Sequence, residues 1–430
     1  MNKRKWLWSA FVVSLLMCVC TGWVITQFPL FLIMPPSSWP ALVKEYWNRS
    51  HVPGIPHLVP SPIPSITPVY ATTRLTRDNL SAMQELVRLT PAITPWPVAA
   101  LAMTGDSQIL LAAYAQEGVL RHWSAKDGEL LKAIDIRDIG TADTIFDAKG
   151  YLLATGTGQT PYVDAADDIT DTSTVRLWDT QTGELVWEKD LESGYGTTGI
   201  VSGVALTPNG QRVAATVTSA NSASRLFVCD TTTERCTWIS LGGQLEWYVR
   251  LNGLRLQINE RRIWETPDVV TFDPSGEIIA LADQEGRITL RWWDAEHSRI
   301  DTRSEAHLDW GKRDEYTKPL ALKFDRARRW LAAVRGERFE LWSLDGKHIQ
   351  RTLSVNIPTV GASDIAFSPA GDLVAVGVDT GWQIWDVERG RKIAEGGDSP
   401  AFALMFSLDG HLFIWGAEDG AVHIWGIPVQ

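Results

Sequence analysis

One short unit recurs from about residue 98 to the end of the chain, and a repeat of this length leaves few architectures open. Its clearest copy begins near Ser363. Ile365-Ala366-Phe367-Ser368 alternates as a strand, Pro369-Ala370-Gly371 turns, and Leu373-Val374-Ala375-Val376 is a second strand ended by Asp379-Thr380-Gly381. Trp382-Gln383-Ile384-Trp385-Asp386 is a third, and Arg389-Gly390 turns into a fourth at Lys392-Ile393-Ala394. Four short strands joined by Gly-containing turns make one propeller blade.

The turn between the first and second strands, a and b, recurs at Thr207-Pro208-Asn209-Gly210, Asp273-Pro274-Ser275-Gly276 and Ser407-Leu408-Asp409-Gly410. The third strand, c, recurs at Leu120–Trp123, Val175–Asp179, Leu226–Asp230, Leu290–Asp294, Phe339–Trp342 and Val422–Trp425. With the copy at 363 this makes seven units and predicts an all-β fold, a seven-bladed β-propeller of four-stranded blades. Three units end the third strand in Trp-Asp, at Trp178-Asp179, Trp293-Asp294 and Trp385-Asp386, with Trp123, Trp342 and Trp425 at the same place in others. The chain therefore resembles the WD-repeat family. It departs from that family in lacking the Gly-His pair that opens each repeat. The resemblance thus implies that the family's buried Asp-His-Ser-Trp hydrogen-bond network is absent or incomplete, and that the blades lean on aromatic and aliphatic packing.

The last third strand stops near Ile427, so the seventh blade needs its outer strand from elsewhere. Glu85-Leu86-Val87-Arg88-Leu89 has suitable alternation and is expected to pair with Val422–Trp425, removing an open edge. Thr76–Met83 just before it reads as a short helix capped by Thr76 or Asp78. The propeller then spans 74–430, with 74–97 as its closing segment.

Before it, residues Trp6–Val43 carry no charged side chain, and Lys3-Arg4-Lys5 precede them. The strongly apolar part, to about Met34, exceeds the roughly 20 residues a helix needs to cross a bilayer. Residues 1–34 are predicted to be a basic start and one transmembrane signal anchor. The basic start places the N-terminus in the cytoplasm and the propeller outside it. A cleaved signal peptide is the alternative, but no small-residue cleavage site follows the run. Residues 35–73 hold nine prolines and read as an extended linker. The membrane is thus a predicted partner through the N-terminal helix. A net charge of −11 argues against nucleic acid.

Repeat spacing locates the extra residues. The markers Trp123, Trp178, Cys229, Trp293, Trp342, Trp385 and Trp425 lie 55, 51, 64, 49, 43 and 40 apart. The excess falls in Gly156–Thr174 and Ser219–Ser224, between second and third strands, and in Leu241–Pro267 and Ile300–Lys318, between blades. In WD-repeat propellers these connections share one face, the top. Leu245, Trp247, Val249 and Leu251 alternate before Asn252-Gly253, and Leu254, Leu256 and Ile258 after it, which predicts an added hairpin. Trp247, Tyr248, Arg250, Arg255, Trp264, Trp310 and Tyr316 are the candidate protein-binding residues, since Trp, Tyr and Arg anchor interfaces. The competing reading folds the hairpin back onto the disc as a cover.

Asp164, Asp167, Asp168 and Asp171 crowd one insertion, as a solvated acidic loop or a Ca²⁺ site, without the Gly turn of an EF-hand. Cys229 and Cys236 fall at near-facing positions on third and fourth strands, as a disulfide or as two thiols. No phosphate loop, nucleophile elbow or metalloprotease spacing occurs, and no catalytic, cofactor or metal residues are predicted. The function expected is a non-catalytic protein-interaction scaffold. A propeller enzyme is the alternative, of the quinone-cofactor kind because Gly183-Glu184-Leu185-Val186-Trp187 is similar to one repeat of such enzymes. A purely structural surface protein is the third reading.

Overall fold

In the computed structural model the described residues are 72–91, 96–136, 143–156, 173–191, 200–218, 224–241, 248–251, 254–257, 267–283, 287–294, 299–309, 319–345, 348–357 and 364–428, a few of them as backbone alone. The predicted anchor at 1–34 and nearly all of the linker lie outside this set. No described helix is long and apolar enough to cross a membrane.

Seven antiparallel sheets of four consecutive positions, a to d, make seven blades. Blade 1 is Ala100–Met103, Ile109–Tyr114, Val119–Ser124 and Leu130–Asp135. Blade 2 is Asp143–Phe146, Leu152–Gly156, Thr174–Asp179 and Leu185–Asp190, and blade 3 is Ile200–Leu206, Arg212–Thr218, Arg225–Asp230 and Arg235–Ser240. Blade 4 is Pro267–Phe272, Ile278–Asp283, Arg287–Asp294 and Arg299–Asp309, and blade 5 is Pro319–Phe324, Trp330–Arg335, Arg338–Asp345 and His348–Asn356. Blade 6 is Ile365–Phe367, Leu373–Val378, Gly381–Asp386 and Arg391–Gly396. Each a strand contacts the a strand of the next blade, and the seventh contacts the first, so the a strands form a closed inner ring.

Blade 7 contains Ala401–Phe406, Leu412–Ala417 and Val422–Pro428 from the C-terminal end. Its outer strand is Gln84–Leu89, which pairs with Val422–Pro428 in the register Glu85↔Trp425, Val87↔Ile424, Arg88↔His423 and Leu89↔Val422. The pairing expected for Glu85–Leu89 is therefore present. A further two-residue strand, Thr72–Thr73, continues the edge opposite Pro428 and Ile427. The helix expected over 76–83 shrinks to a single 3₁₀ turn, Leu80–Ala82. Neither Thr76 nor Asp78 caps it. Asn79 precedes the turn, its Oδ1 accepting from the Thr76 N–H at 2.8 Å and its amide donating to the Arg74 carbonyl at 2.9 Å. The segment is a plug rather than a helix: Leu75 and Leu80 are buried in the apolar cluster between blades 6 and 7.

The core is likewise divided into seven clusters, one at each blade interface. The repeat tryptophan of each blade packs toward the blade before it. Trp123 joins the cluster between blades 7 and 1, Trp178 that between 1 and 2, Trp293 that between 3 and 4, Trp342 that between 4 and 5, and Trp385 that between 5 and 6. Trp425 packs partly buried against the cluster between 6 and 7, and Cys229 fills the equivalent place between 2 and 3. Hydrogen bonding of the indoles is sparse. Trp178 Nε1 donates to Thr155 Oγ1 at 3.1 Å, whereas the buried Nε1 atoms of Trp123, Trp382, Trp385, Trp415 and Trp425 have no partner among the described residues. Ring contacts are plentiful instead. Trp382 meets Phe413 and Trp425 edge-on at 5.0 and 5.1 Å, and Trp415 stacks on His423 at 3.9 Å. Such contacts contribute about 0.5–1.5 kcal/mol each beyond area burial.

All seven a–b turns are built alike. The first turn residue accepts, through its side-chain oxygen, the N–H five positions on: Ile109 to Thr104 (3.1 Å), Leu152 to Asp147 (2.9 Å), Arg212 to Thr207 (2.9 Å) and Ile278 to Asp273 (2.6 Å). Trp330 donates to Asp325 (2.7 Å), Leu373 to Ser368 (3.1 Å) and Leu412 to Ser407 (2.9 Å) in the same way. The fourth turn residue takes positive φ in every case, at Gly150, Gly210, Gly276, Gly371 and Gly410, and also at Ser107 (58°) and Arg328 (61°). The sequence displays four of these turns. Those at 104, 147 and 325 escape it because two lack the glycine and none has proline second.

A second difference lies before blade 5. Residues expected to begin an insertion at Ile300 belong to the outer strand of blade 4, Arg299–Asp309, which stays paired with Arg287–Asp294 through a register shift at Arg291/Trp292. The extra residues before blade 5 therefore reduce to 310–318.

The turns generate a paired prediction. Asp325 is fully buried and also accepts the Arg329 N–H. Asp325→Ala strands these donors and is expected to cost about 2–3 kcal/mol in denaturant unfolding. Ser107→Gly relieves a left-handed residue and is expected to gain about 0.5 kcal/mol after the glycine's entropy is counted. The closure generates another. Burial lowers the pKa of His423, against the opposing pull of Glu85 Oε1 at 2.7 Å, and burial with Lys132 nearby lowers that of His122. The unfolded chain therefore binds protons more readily, so both groups stabilise the fold above the free imidazole value of about 6.5. That contribution is lost as pH falls through 6.5 toward the lower folded values. Unfolding midpoints should drop between pH 7.5 and 5.5, with a shallower slope in the His122→Gln/His423→Gln double variant; an unchanged slope would refute the assignment.

Candidate functional site

The seven a–b turns converge at one end of the ring axis around a concavity of about 1050 Å³. The second residue of every turn lines it: Gly105, Ala148, Pro208, Pro274, Arg326, Pro369 and Leu408. Proline suits this position because its fixed φ matches the second residue of a type I turn. Phe324, Phe367, Met405 and Phe406, at the ends of a strands, line it deeper. The wall is mainly apolar, with a few polar groups set into it.

Those groups are Asp147, Lys149, Tyr151, Asn209, Ser275, Lys323 and Arg326. Asp147 is buried and caps its own turn, and burial raises its pKa against hydrogen bonds from the N–H groups around it. Lys323 is half-buried on the a strand of blade 5 and lies 3.9 Å from Asp364, whose other oxygen accepts the Leu404 N–H at 2.9 Å. Lys149 and Arg326 are exposed; Lys149 belongs to the turn of Asp147, whose carboxyl its N–H and its charge both help to keep ionised, whereas Arg326 makes no hydrogen bond or ion pair with a described residue. The concavity thus combines apolar area with cations.

This is the opposite end of the blades from the expected binding loops. Connections between b and c strands and between blades leave from the other ends of the same strands. Of the candidates there, Trp247, Trp264, Trp310 and Tyr316 lie outside the described residues. Tyr248–Leu251 and Leu254–Gln257 are described as backbone and do pair antiparallel, with Leu251 opposite Leu254 across Asn252 and Gly253. The side chains of Tyr248, Arg250 and Arg255 are outside the description, as is the acidic insertion with Asp164, Asp167, Asp168 and Asp171. Among the described residues no group of three or more His, Cys, Asp and Glu could hold a metal ion.

The repeat aspartates belong to turns. Asp179 Oδ1 accepts from the Gln181 and Thr182 N–H groups at 2.8 Å each, and Asp386, fully buried, accepts the Arg389 N–H at 3.0 Å. Asp294 ends the corresponding strand of blade 4. Cys229 and Cys236 stand directly opposite each other in blade 3, Cα atoms 4.0 Å apart, and their sulfurs are bonded. In five blades the chain's own c and d strands pair with a register shift, which sits at the repeat tryptophan in blades 1, 2, 5 and 6 and one residue before it, at Trp292, in blade 4. Blade 3 has cysteine there and pairs without a shift.

Sequence reasoning missed Lys149, Lys323 and Arg326. The signal was the turn register: once 147–150 and 325–328 are aligned on Thr207–Gly210, their second and third positions fall on the rim. No protein-family model matches the chain, and no curated protein matches it in sequence.

The disulfide closes a short loop, so Cys229→Ala/Cys236→Ala should lose about 2–3 kcal/mol on the loop-entropy scale. Denatured protein should yield two more titratable thiols after reduction than before; an unchanged titre would exclude the bond in the isolated protein.

Proposed function

We propose that the chain is a membrane-tethered interaction platform of the WD-repeat kind, which holds protein partners and performs no chemistry of its own. The observation that carries this reading is the concavity to which all seven blades contribute one turn each. Loops on a rigid scaffold are where binding concentrates, and here the scaffold is closed by its own N-terminal strand. The tether is the apolar run to Met34 behind Lys3-Arg4-Lys5, with the Pro-rich 35–73 as spacer and the propeller outside the cytoplasm. The Trp-Asp pairs and seven repeats support kinship with WD-repeat proteins. The hairpin at 248–257 is the second docking surface in this reading, through Trp247, Tyr248, Arg250 and Arg255.

The test places a photo-crosslinking amino acid in the full-length protein in its native membranes, at Asn209 on the rim, at Tyr248 in the hairpin, and at Glu188 on an outer strand as control. Protein adducts from Asn209 or Tyr248, absent from Glu188, are expected. Adducts from none of the three, or equally from all, would overturn the platform reading.

A further inference from the structure

We infer that the concavity at the a–b turns is a docking site for an acidic, apolar-containing peptide segment of a partner protein, held by Lys149, Arg326 and Lys323. The inference rests on the platform reading and adds to it the site and the chemistry of the partner.

The argument begins with what the cations on this face are doing. Arg212 donates to the Gly276 carbonyl at 2.7 Å and ties blade 3 to blade 4. Arg328 reaches back from blade 5 to Asp273 at 2.8 Å and Glu277 at 3.0 Å in blade 4. Arg329 donates to the Ala370 carbonyl of blade 6 at 2.6 Å. These three are committed to holding blades together. Lys149 and Arg326 are not: they belong to the same kind of turn and line the concavity, Lys149 meets only the charge of Asp147 in its own turn, and no described residue pairs with Arg326.

Position within the turn sharpens the contrast. Arg326 stands second in its turn, where Pro208, Pro274 and Pro369 stand in theirs. The blade 5 turn therefore gives up the residue that best fits the backbone and places a guanidinium on the rim. Lys323, deeper on the same blade, is satisfied only by Asp364 at 3.9 Å. All this sits in a protein of net charge −11, so the cations do not follow from overall composition. Local positive potential in a concave, low-dielectric wall attracts anionic groups.

The wall decides which anion. Between the cations most of it is proline, leucine and aromatic surface, with buried Asp147 and the polar Asn209 and Ser275 set into it, and that apolar area gains from apolar side chains and offers nothing to a sugar-phosphate backbone. An acidic body also repels an extended polyanion at long range. A short segment carrying both carboxylates and apolar side chains matches both parts of the lining. Carboxylates pair with Lys and with the Arg fork, and apolar side chains cover the prolines.

The experiment uses the full-length protein in neutral-lipid nanodiscs and three labelled probes followed by fluorescence anisotropy. They are a dodecapeptide of Glu-Gly-Leu triplets, the same peptide with Gln for Glu, and an oligothymidylate. The Glu peptide is expected to bind, more weakly as salt rises. Lys149→Glu/Arg326→Glu should weaken it at least about tenfold, roughly 1.4 kcal/mol. Lys189→Glu/Arg235→Glu, the same charge change on exposed outer strands, should have much less effect. Matching thermal unfolding of the variants shows that folding is intact. Equal binding of the Gln peptide, equal loss in the control variant, stronger binding of the oligothymidylate, or no binding by the Glu peptide would each overturn the inference. The platform reading is judged separately: adducts from Tyr248 that persist in Lys149→Glu/Arg326→Glu would keep it standing while this site fell.

Discussion

Everything in this molecule depends on ring closure. Seven blades bury their faces against one another only if the last meets the first, and here the meeting is made by main-chain hydrogen bonds between Gln84–Leu89 and Val422–Pro428. An outer strand taken from the far end of the chain converts a row of wedges into a circle. Val87 and Leu89 then bury in the same cluster as Val98, Met103 and Ile424, so the closing strand is stitched into blade 1 as well as blade 7. His423 lies under this seam, stacked on Trp415 and bonded to Glu85. The closure therefore sets the buried His423 against the exposed carboxylate of Glu85.

Given closure, sameness of the blades is what makes the circle regular, and the a–b turn supplies it. A side chain that accepts a hydrogen bond five residues on sets where the second strand starts. A left-handed fourth residue sets its direction. The sequence announces this device at the three turns with both proline and glycine and at Ser407–Gly410, and conceals it at Thr104–Ser107, Asp147–Gly150 and Asp325–Arg328. There the Thr or Asp at the first position, joined by a glycine only at Gly150, is all that shows, and those residues have many other uses. The fold was legible all the same, because the third strands repeat independently of the turns. Strand boundaries were less so. Arg299–Asp309 alternates no better than an insertion would, and only its pairing with blade 4 identifies it as a strand.

The tryptophans show a similar division between what pattern reveals and what packing decides. Their spacing gives the repeat, but not that each faces the preceding blade, nor that the buried indole N–H groups of Trp123, Trp385 and Trp425 meet no acceptor among the described residues. Thr155 beside Trp178 does supply an acceptor, at 3.1 Å. Aromatic contact takes over where hydrogen bonding is missing, as with Trp382 between Phe413 and Trp425. Blade 3 solves the problem differently. It has Cys229 in place of tryptophan and a covalent link to its outer strand at that position.

The candidate site was hidden for a related reason. Long insertions draw the eye because they break the repeat, whereas residues that obey the repeat look structural. Yet all seven blades approach a common axis through their a strands, and at the a–b end of that ring no residue needs to be inserted for a site to exist. Substituting one position in a conserved-looking turn is enough, as Arg326 does in blade 5. Function placed this way costs little stability, because the turn's side-chain hydrogen bonds come from its first residue and, at Asp106, Asn209, Ser275 and Asp409, from its third, while the second makes none of them. A regular scaffold with a variable second turn residue can present a charge pattern on its axis while each blade keeps the same backbone.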